Sequence, residues 1–391
     1  MSTFKIPYGK QFISQEDTDA VVKALHSDFL TQGPAIAEFE KNFATYIGCK
    51  YAVAVSNGTA ALHLPLLAIG LTEGDRIITT PITFAASANA ARYCGAEVHF
   101  VDIDPETFVM SVPALKSLLE RHPKGYFKAV VPVDFGGYPV NFEEIKALAN
   151  EYGLFVLEDA CHAPGAEFTD SKGNRIRSGN GVYCDAAAFS FHPVKHIAAG
   201  EGGMITTNDE QLYKKMMMLR THGITKENLE LDFPNAKEQG FWYYEMQHLG
   251  YNYRITDIQA ALANSQLKRA DAGLAKRQEI ADRYRKAFEG TKISMQKMPV
   301  KGINAYHLFI IEVENRKGLY DFLKDNGIFA QIHYVPVHLM PYYRRFGWKP
   351  GDFKHAEAYY SKCISLPMYP TLTGDEQNHV IQKVLEFVNG K

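Results

Sequence analysis

Short β-branched segments recur through the first half of this chain with a helix-length segment between most of them. This alternation restricts the fold more than any other feature. The pattern predicts strands at 51–55 (YAVAV), 76–80, 97–101, 128–133, 154–158, 186–191 and 203–207. Helices are expected at 14–26, where Ser14 and Asp17 are spaced as a capping box, at 58–69, and at 141–152, where Asn141 and Glu144 fit a capped start. Strands joined by helices fold as βαβ units, so the expectation is α/β: a mostly parallel sheet with helices on both faces. From about Thr256 a long helical stretch runs towards Tyr284. A strand at 305–313, a helix at 316–326, a strand at 328–334 and a helix from Thr373 follow. These predict a second, smaller α/β domain. The 391 residues exceed one ordinary core, and the division expected is 1–250 and 251–391.

Composition removes several function classes. Forty-two basic and 44 acidic residues leave a net charge of −2 without a long run of one sign. No basic stripe for nucleic acid shows, and no apolar stretch suits a membrane span. The first twelve residues have no apolar core of a signal peptide. Cys49, Cys94, Cys161, Cys184 and Cys363 are odd in number and lack CxxC spacing, which argues against a disulfide framework or a zinc site. A reducing cytoplasm and no metal are expected.

Ligands in parallel sheets bind beyond the carboxyl ends of the strands, and the polar punctuation of this chain falls there. In SFHPVKHIAAGEGGM, Lys195 follows an apolar strand and precedes a Gly-rich turn. Desolvated, such a lysine can attack a carbonyl as the free amine; taken alone, the reading as a solvated surface charge outweighs this one. Asp159 ends LFVLED, with Glu158 its competitor for a role at the strand end. Ser56-Asn57-Gly58-Thr59 joins a strand to a helix. It reads as a phosphate cup, or as an ordinary capped start. Asp134-Phe135-Gly136 spells a kinase triplet without the accompanying kinase segments.

SNGTAALHL, PITFAASANA, LEDACHAPGA, FSFHPVKHIAAGEGGM and GYNYRITDIQAA, in that order across essentially the whole chain, resemble the DegT/DnrJ/StrS-type sugar aminotransferases. IPYGKQFIS, HPVKHI and IHYVPVH are similar to the branch that aminates C4 in pseudaminic acid synthesis. The resemblance implies a fold-type-I aminotransferase using pyridoxal 5′-phosphate (PLP), alternating with its amine form (PMP). It implies Lys195 as the lysine bonded to the cofactor and as the catalytic proton carrier. Asp159 would face the pyridinium nitrogen, His162 would lie near the phenolic oxygen, and Phe84 would stack on the ring. Gly58, Thr59 and Ser190 would bind the phosphate, joined by Asn252 from a second subunit, so a homodimer with shared active sites is implied.

The substrates implied are L-glutamate and a UDP-linked 4-keto-6-deoxy-N-acetylhexosamine. A GDP- or dTDP-linked keto sugar, aminated at C3 or C4, stays open, as does a non-catalytic PLP-binding regulator. Tyr8, Arg254, His333, Tyr334 and His338 are candidate substrate contacts, each with an ordinary packing alternative. Related dehydratases replace the cofactor lysine, commonly by His; position 195 here is Lys.

Overall fold

The computed structural model describes residues 5–226, 240 and 242–390. Seven strands form the main sheet: β1 (Tyr51–Val55), β2 (Arg76–Thr79), β3 (Glu97–Phe100), β4 (Ala129–Val131), β5 (Phe155–Asp159), β6 (Ala186–Ser190) and β7 (Gly203–Thr207). Their order across the sheet is β1-β7-β6-β5-β4-β2-β3. Every pairing from β6 to β3 is parallel, and β7 runs antiparallel between β1 and β6. The expected mostly parallel sheet is therefore present, with β7 as its one reversed strand.

Helix α1 (Gln15–Leu25) carries the anticipated Ser14/Asp17 capping box. Helix α2 (Pro34–Ile47) escaped the sequence reading; it opens on a proline, which suits a first helical turn. Helix α3 (Gly58–Ala68) buries residues on all sides, as a helix that is apolar all round must. It packs across β1, β5, β6 and β7, where Ala186–Ala188 of β6 are fully buried. The N-terminus of α3 is thereby fixed at the strand ends.

Helix α4 (Ala86–Tyr93) follows β2, and α5 (Phe142–Tyr152) precedes β5. The capped start expected for α5 is not formed: Asn141 Nδ2 donates to the Glu144 carboxylate (2.9 Å) and its side chain caps no backbone N–H. The long helix expected from Thr256 is two, α6 (Asp257–Leu267) and α7 (Ala270–Phe288). At the break Arg269 leaves helical geometry, and its guanidinium reaches Ser14, Asp17 and the Phe12 carbonyl.

Two cores meet along α7. Ile255, Ala260, Ala263, Leu267 and Leu274 pack with the main sheet, whereas Ile280, Tyr284 and Phe288 pack with Phe309, Ile311, Leu319, Ile364 and Val384. The second core surrounds an antiparallel sheet of Ser294–Met295, Phe309–Glu312 and Cys363–Leu366. Ile6 belongs to it as well, because Ile6–Pro7 pairs parallel with Ile328–Phe329. The boundary drawn from the sequence at 250/251 precedes this exchange. The strand expected at 328–334 is limited to Ile328–Phe329, with one isolated bridge from Gln331 to Ser365. No helix among the described residues is long and apolar enough to cross a membrane.

Candidate active site

The carboxyl ends of β1, β5 and β6 open into a cavity of about 450 Å³. Tyr8, Gly58, Thr59, Phe84, Asp159, His162, Ser190, Lys195, His333 and Tyr334 all line it. Residues up to 326 apart in sequence are thus brought together. Alternation along β5 separates the two competing carboxylates. Asp159 faces the cavity, whereas Glu158 points to the other face and accepts the Gly179 N–H on both oxygens (2.9 and 3.0 Å). Burial raises the affinity of Glu158 for a proton.

Asp159 is held by two donors. Ser87 Oγ donates to Oδ2 at 2.6 Å, and the Cys161 N–H donates to Oδ1 at 3.2 Å. Ser87 also meets Thr83 Oγ1 at 2.7 Å. These hydroxyls were not singled out in PITFAASANA. Thr83 lies in the bend before α4 and Ser87 in its first turn, so no helical spacing in the sequence announced the pair.

Lys195 lies on the turn after β6, where its N–H bonds to the His192 carbonyl (2.8 Å). Its pKa is lowered to about 8, chiefly by burial. Nearby Cys161 and Asp159 oppose this shift, and the Arg277 cation adds to it. The amine is consequently far easier to obtain in its free, nucleophilic form than that of a surface lysine.

His162 is a neutral ring by its surroundings. The Gly136 N–H donates to Nδ1 at 3.3 Å, so Nε2 carries the proton and donates to the Tyr334 hydroxyl at 3.3 Å. Burial holds the pKa of His162 well below the usual histidine value and raises that of Tyr334. His333 Nδ1 pairs with Ser365 Oγ at 2.9 Å, its pKa pushed down to about 3 by burial. Its ring lies 5.1 Å from that of Tyr8.

The cavity suits a flat aromatic carbonyl cofactor with a phosphate tail. A Cβ built on Gly58 would lie 2.8 Å from Ser190 Cβ, so only glycine leaves room where α3 begins. That helix start presents backbone N–H groups and the positive end of the helix dipole. Phe84 remains 61% exposed while lining the cavity, which leaves a ring face open for stacking. This set fits PLP, whose carbonyl Lys195 would take, whose ring nitrogen Asp159 would face and whose phosphate Gly58, Thr59 and Ser190 would hold.

Three sequence candidates lie outside the cavity. His338 is a correction in placement: the 3₁₀ turn Val337–Leu339 buries it completely, with Nε2 on Glu357 (3.1 Å) and its ring against Phe353. Asn252 is exposed and bridges Thr221, and Arg254 is half-buried. Conversely, Cys161, His192, Glu201 and His307 line the cavity and were not proposed from the sequence. Their isolated positions in loops and at strand starts carry no periodic signal.

Residues 11–385 match the DegT/DnrJ/EryC1/StrS aminotransferase family. The spore coat polysaccharide biosynthesis protein SpsC of Bacillus subtilis is 40% identical over 394 residues, covering 98% of this chain and 97% of that protein. The UDP-4-amino-4,6-dideoxy-N-acetyl-beta-L-altrosamine transaminase of Campylobacter jejuni is 36% identical, covering 93% and 92%. Among solved structures, Helicobacter pylori PseC, an aminotransferase involved in pseudaminic acid biosynthesis, superposes with a TM-score of 0.88 at 30% identity. That match covers 99% of this chain and 100% of the other.

Proposed function

The chain belongs to the DegT/DnrJ/EryC1/StrS aminotransferase family, and from that premise we propose that it moves the amino group of L-glutamate to C4 of a UDP-linked 4-keto-6-deoxy-N-acetylhexosamine. It is a PLP-dependent sugar aminotransferase. The observation that carries the residue assignment is the shared cavity of Lys195, Asp159 and the Gly58–Ser190 cradle. Substrate identity is supported by the likeness to the altrosamine transaminase and to PseC.

Bound PLP supplies the carbonyl that accepts the amino group and the ring that delocalises the electrons left at the reacting carbon. Lys195 anchors the cofactor covalently. Its amine, when free, would take a proton from the donor α-carbon and, in the second half-reaction, would deliver one to C4 of the sugar. Asp159 would keep the pyridine nitrogen protonated. Phe84 would hold the ring by stacking, His162 would stand by its phenolic oxygen, and Gly58, Thr59 and Ser190 would bind the phosphate. Tyr8, His333 and Tyr334 form the wall that meets the sugar.

The test follows the absorbance of the PLP-loaded protein. L-glutamate should remove the band of the lysine-bound cofactor, and the UDP-linked 4-keto sugar should restore it. A spectrum that no amino donor moves would end this reading. The match to SpsC at 40% identity favours a second reading, amination of a different nucleotide-linked sugar. Restoration by a GDP- or dTDP-linked keto sugar but not by the UDP sugar would select it.

Exposure of Asn252 outside its own chain's cavity supports its donation to a second copy, giving a homodimer with shared sites. Lys195→Ala and Asn252→Ala should each be impaired alone. Co-expressed, the two should regain up to about a quarter of wild-type activity, because random pairing yields half heterodimers, each with one intact site of two. No recovery in a verified heterodimer would place Asn252 on its own site or on none.

A further inference from the structure

Helix α7 carries a cation whose pull on the Lys195 pKa leaves its own hydrogen bonds unexplained. Arg277 is 2% exposed. Among the described residues its guanidinium meets carbonyls instead of carboxylates: Nη1 donates to Tyr306 and Met368 at 3.0 Å each, with the His307 carbonyl at 3.4 Å. A buried cation without a counter-ion is costly, so its setting calls for a purpose.

The turn it clamps is itself strained. Tyr306 has φ 49°, in the left-handed region, a conformation that is unfavourable away from glycine. On the opposite side the turn is pressed onto Gly136 and Gly137. The Ala305 N–H bonds to the Gly137 carbonyl (2.8 Å) and the Leu308 N–H to that of Gly136 (3.1 Å). A Cβ on Gly137 would lie 2.6 Å from the Tyr306 nitrogen. Held from both sides, the turn has one product: the ring of His307, 4% exposed, set into the cavity wall. Its centroid lies 4.3 Å from that of His162, nearer than the rings of Phe135 (6.1 Å) and Tyr334 (6.2 Å). Gly136 serves both parts, since its N–H fixes His162 Nδ1 while its carbonyl fixes the turn.

We propose that Arg277 and His307 are positioning residues for His162: the guanidinium fixes the Tyr306–His307 turn, and the His307 ring is the face that holds His162 with Nε2 turned into the cavity. This rests on the proposed place of His162 beside the cofactor's phenolic oxygen. The effect of Arg277 and His307 is transmitted through ring packing, so a ring at position 307 matters more than its nitrogens. Nδ1 of His307 accordingly has no hydrogen-bond partner among the described residues.

The test is the pH titration, by absorbance, of the PLP-loaded protein, which reads the proton held at the cofactor–lysine link. His162→Leu should move the midpoint upward by about one pH unit, because it removes a neutral N–H that favours the charged oxygen nearby. His307→Leu keeps the volume but loses the ring, and should move it the same way by at least half as much. His307→Phe should restore the wild-type midpoint. Arg277→Lys keeps the charge but loses the planar fork, and should behave as His307→Leu does. A wild-type midpoint in His307→Leu or Arg277→Lys, or a displaced one in His307→Phe, overturns the proposal. A wild-type midpoint in His162→Leu overturns the role of His162 itself, and the two failures are thereby distinguished.

Discussion

Lys195→Ala should abolish transamination, lowering turnover with L-glutamate and keto sugar by about 10⁴-fold or more, since it removes both the covalent anchor and the proton carrier. Borohydride should no longer fix the cofactor to the protein. Retention of that reducible link would mean another lysine holds it. The native protein offers a second readout. A pKa of about 8 leaves roughly half of the amine free at pH 8, so PLP capture by the cofactor-free protein should rise across pH 7–9 and level off above. The sign follows from the causes: burial and Arg277 disfavour the ammonium form, and they outweigh Cys161 and Asp159, which favour it. A capture rate still climbing steeply above pH 10 would describe a lysine in an ordinary solvated setting.

Much of this arrangement is legible in the chain because it is written in local pattern. YAVAV and the LFVL of LFVLED are continuous apolar runs, as strands covered on both faces require. Their ends mark the cavity directly. Ser14 and Asp17 announce their helix through three-residue spacing, and Thr373 with Glu376 does the same. What the pattern conceals is long-range. The break between α6 and α7 depends on Arg269 meeting Asp17, 252 positions away. His338 looked like a companion of His333 and Tyr334 in IHYVPVH, yet the turn after Pro336 sends it to Glu357. His307 has no sequence signature, because its place is set by Arg277 and two glycines from distant segments. Family resemblance supplied roles that residue types alone left open, as with Asp159 against Glu158. The geometry of β5 then separates these two by face.

Asp159→Asn should lower turnover by about 10²–10³-fold while leaving the fold and the covalent anchor in place, the scale expected when one preorganised electrostatic partner is lost. The substitution is nearly isosteric. An amide oxygen can still accept the Cys161 N–H, and Ser87 can turn its hydroxyl to accept from the amide nitrogen. Only the charge that holds a proton on the ring nitrogen disappears. Ser87→Ala should be milder, within about tenfold, because the carboxylate stays and loses one orienting hydrogen bond of about 1 kcal/mol. A structural defect and a charge defect predict opposite movements of a second quantity. Asp159 raises the pKa of Lys195, so removing its charge should shift PLP capture towards lower pH even as turnover falls. Misfolding would open Lys195 to solvent and shift capture towards higher pH. Wild-type turnover in Asp159→Asn would remove this carboxylate from the reaction, and Glu158 could not replace it, since both its oxygens are engaged on the far face by Gly179.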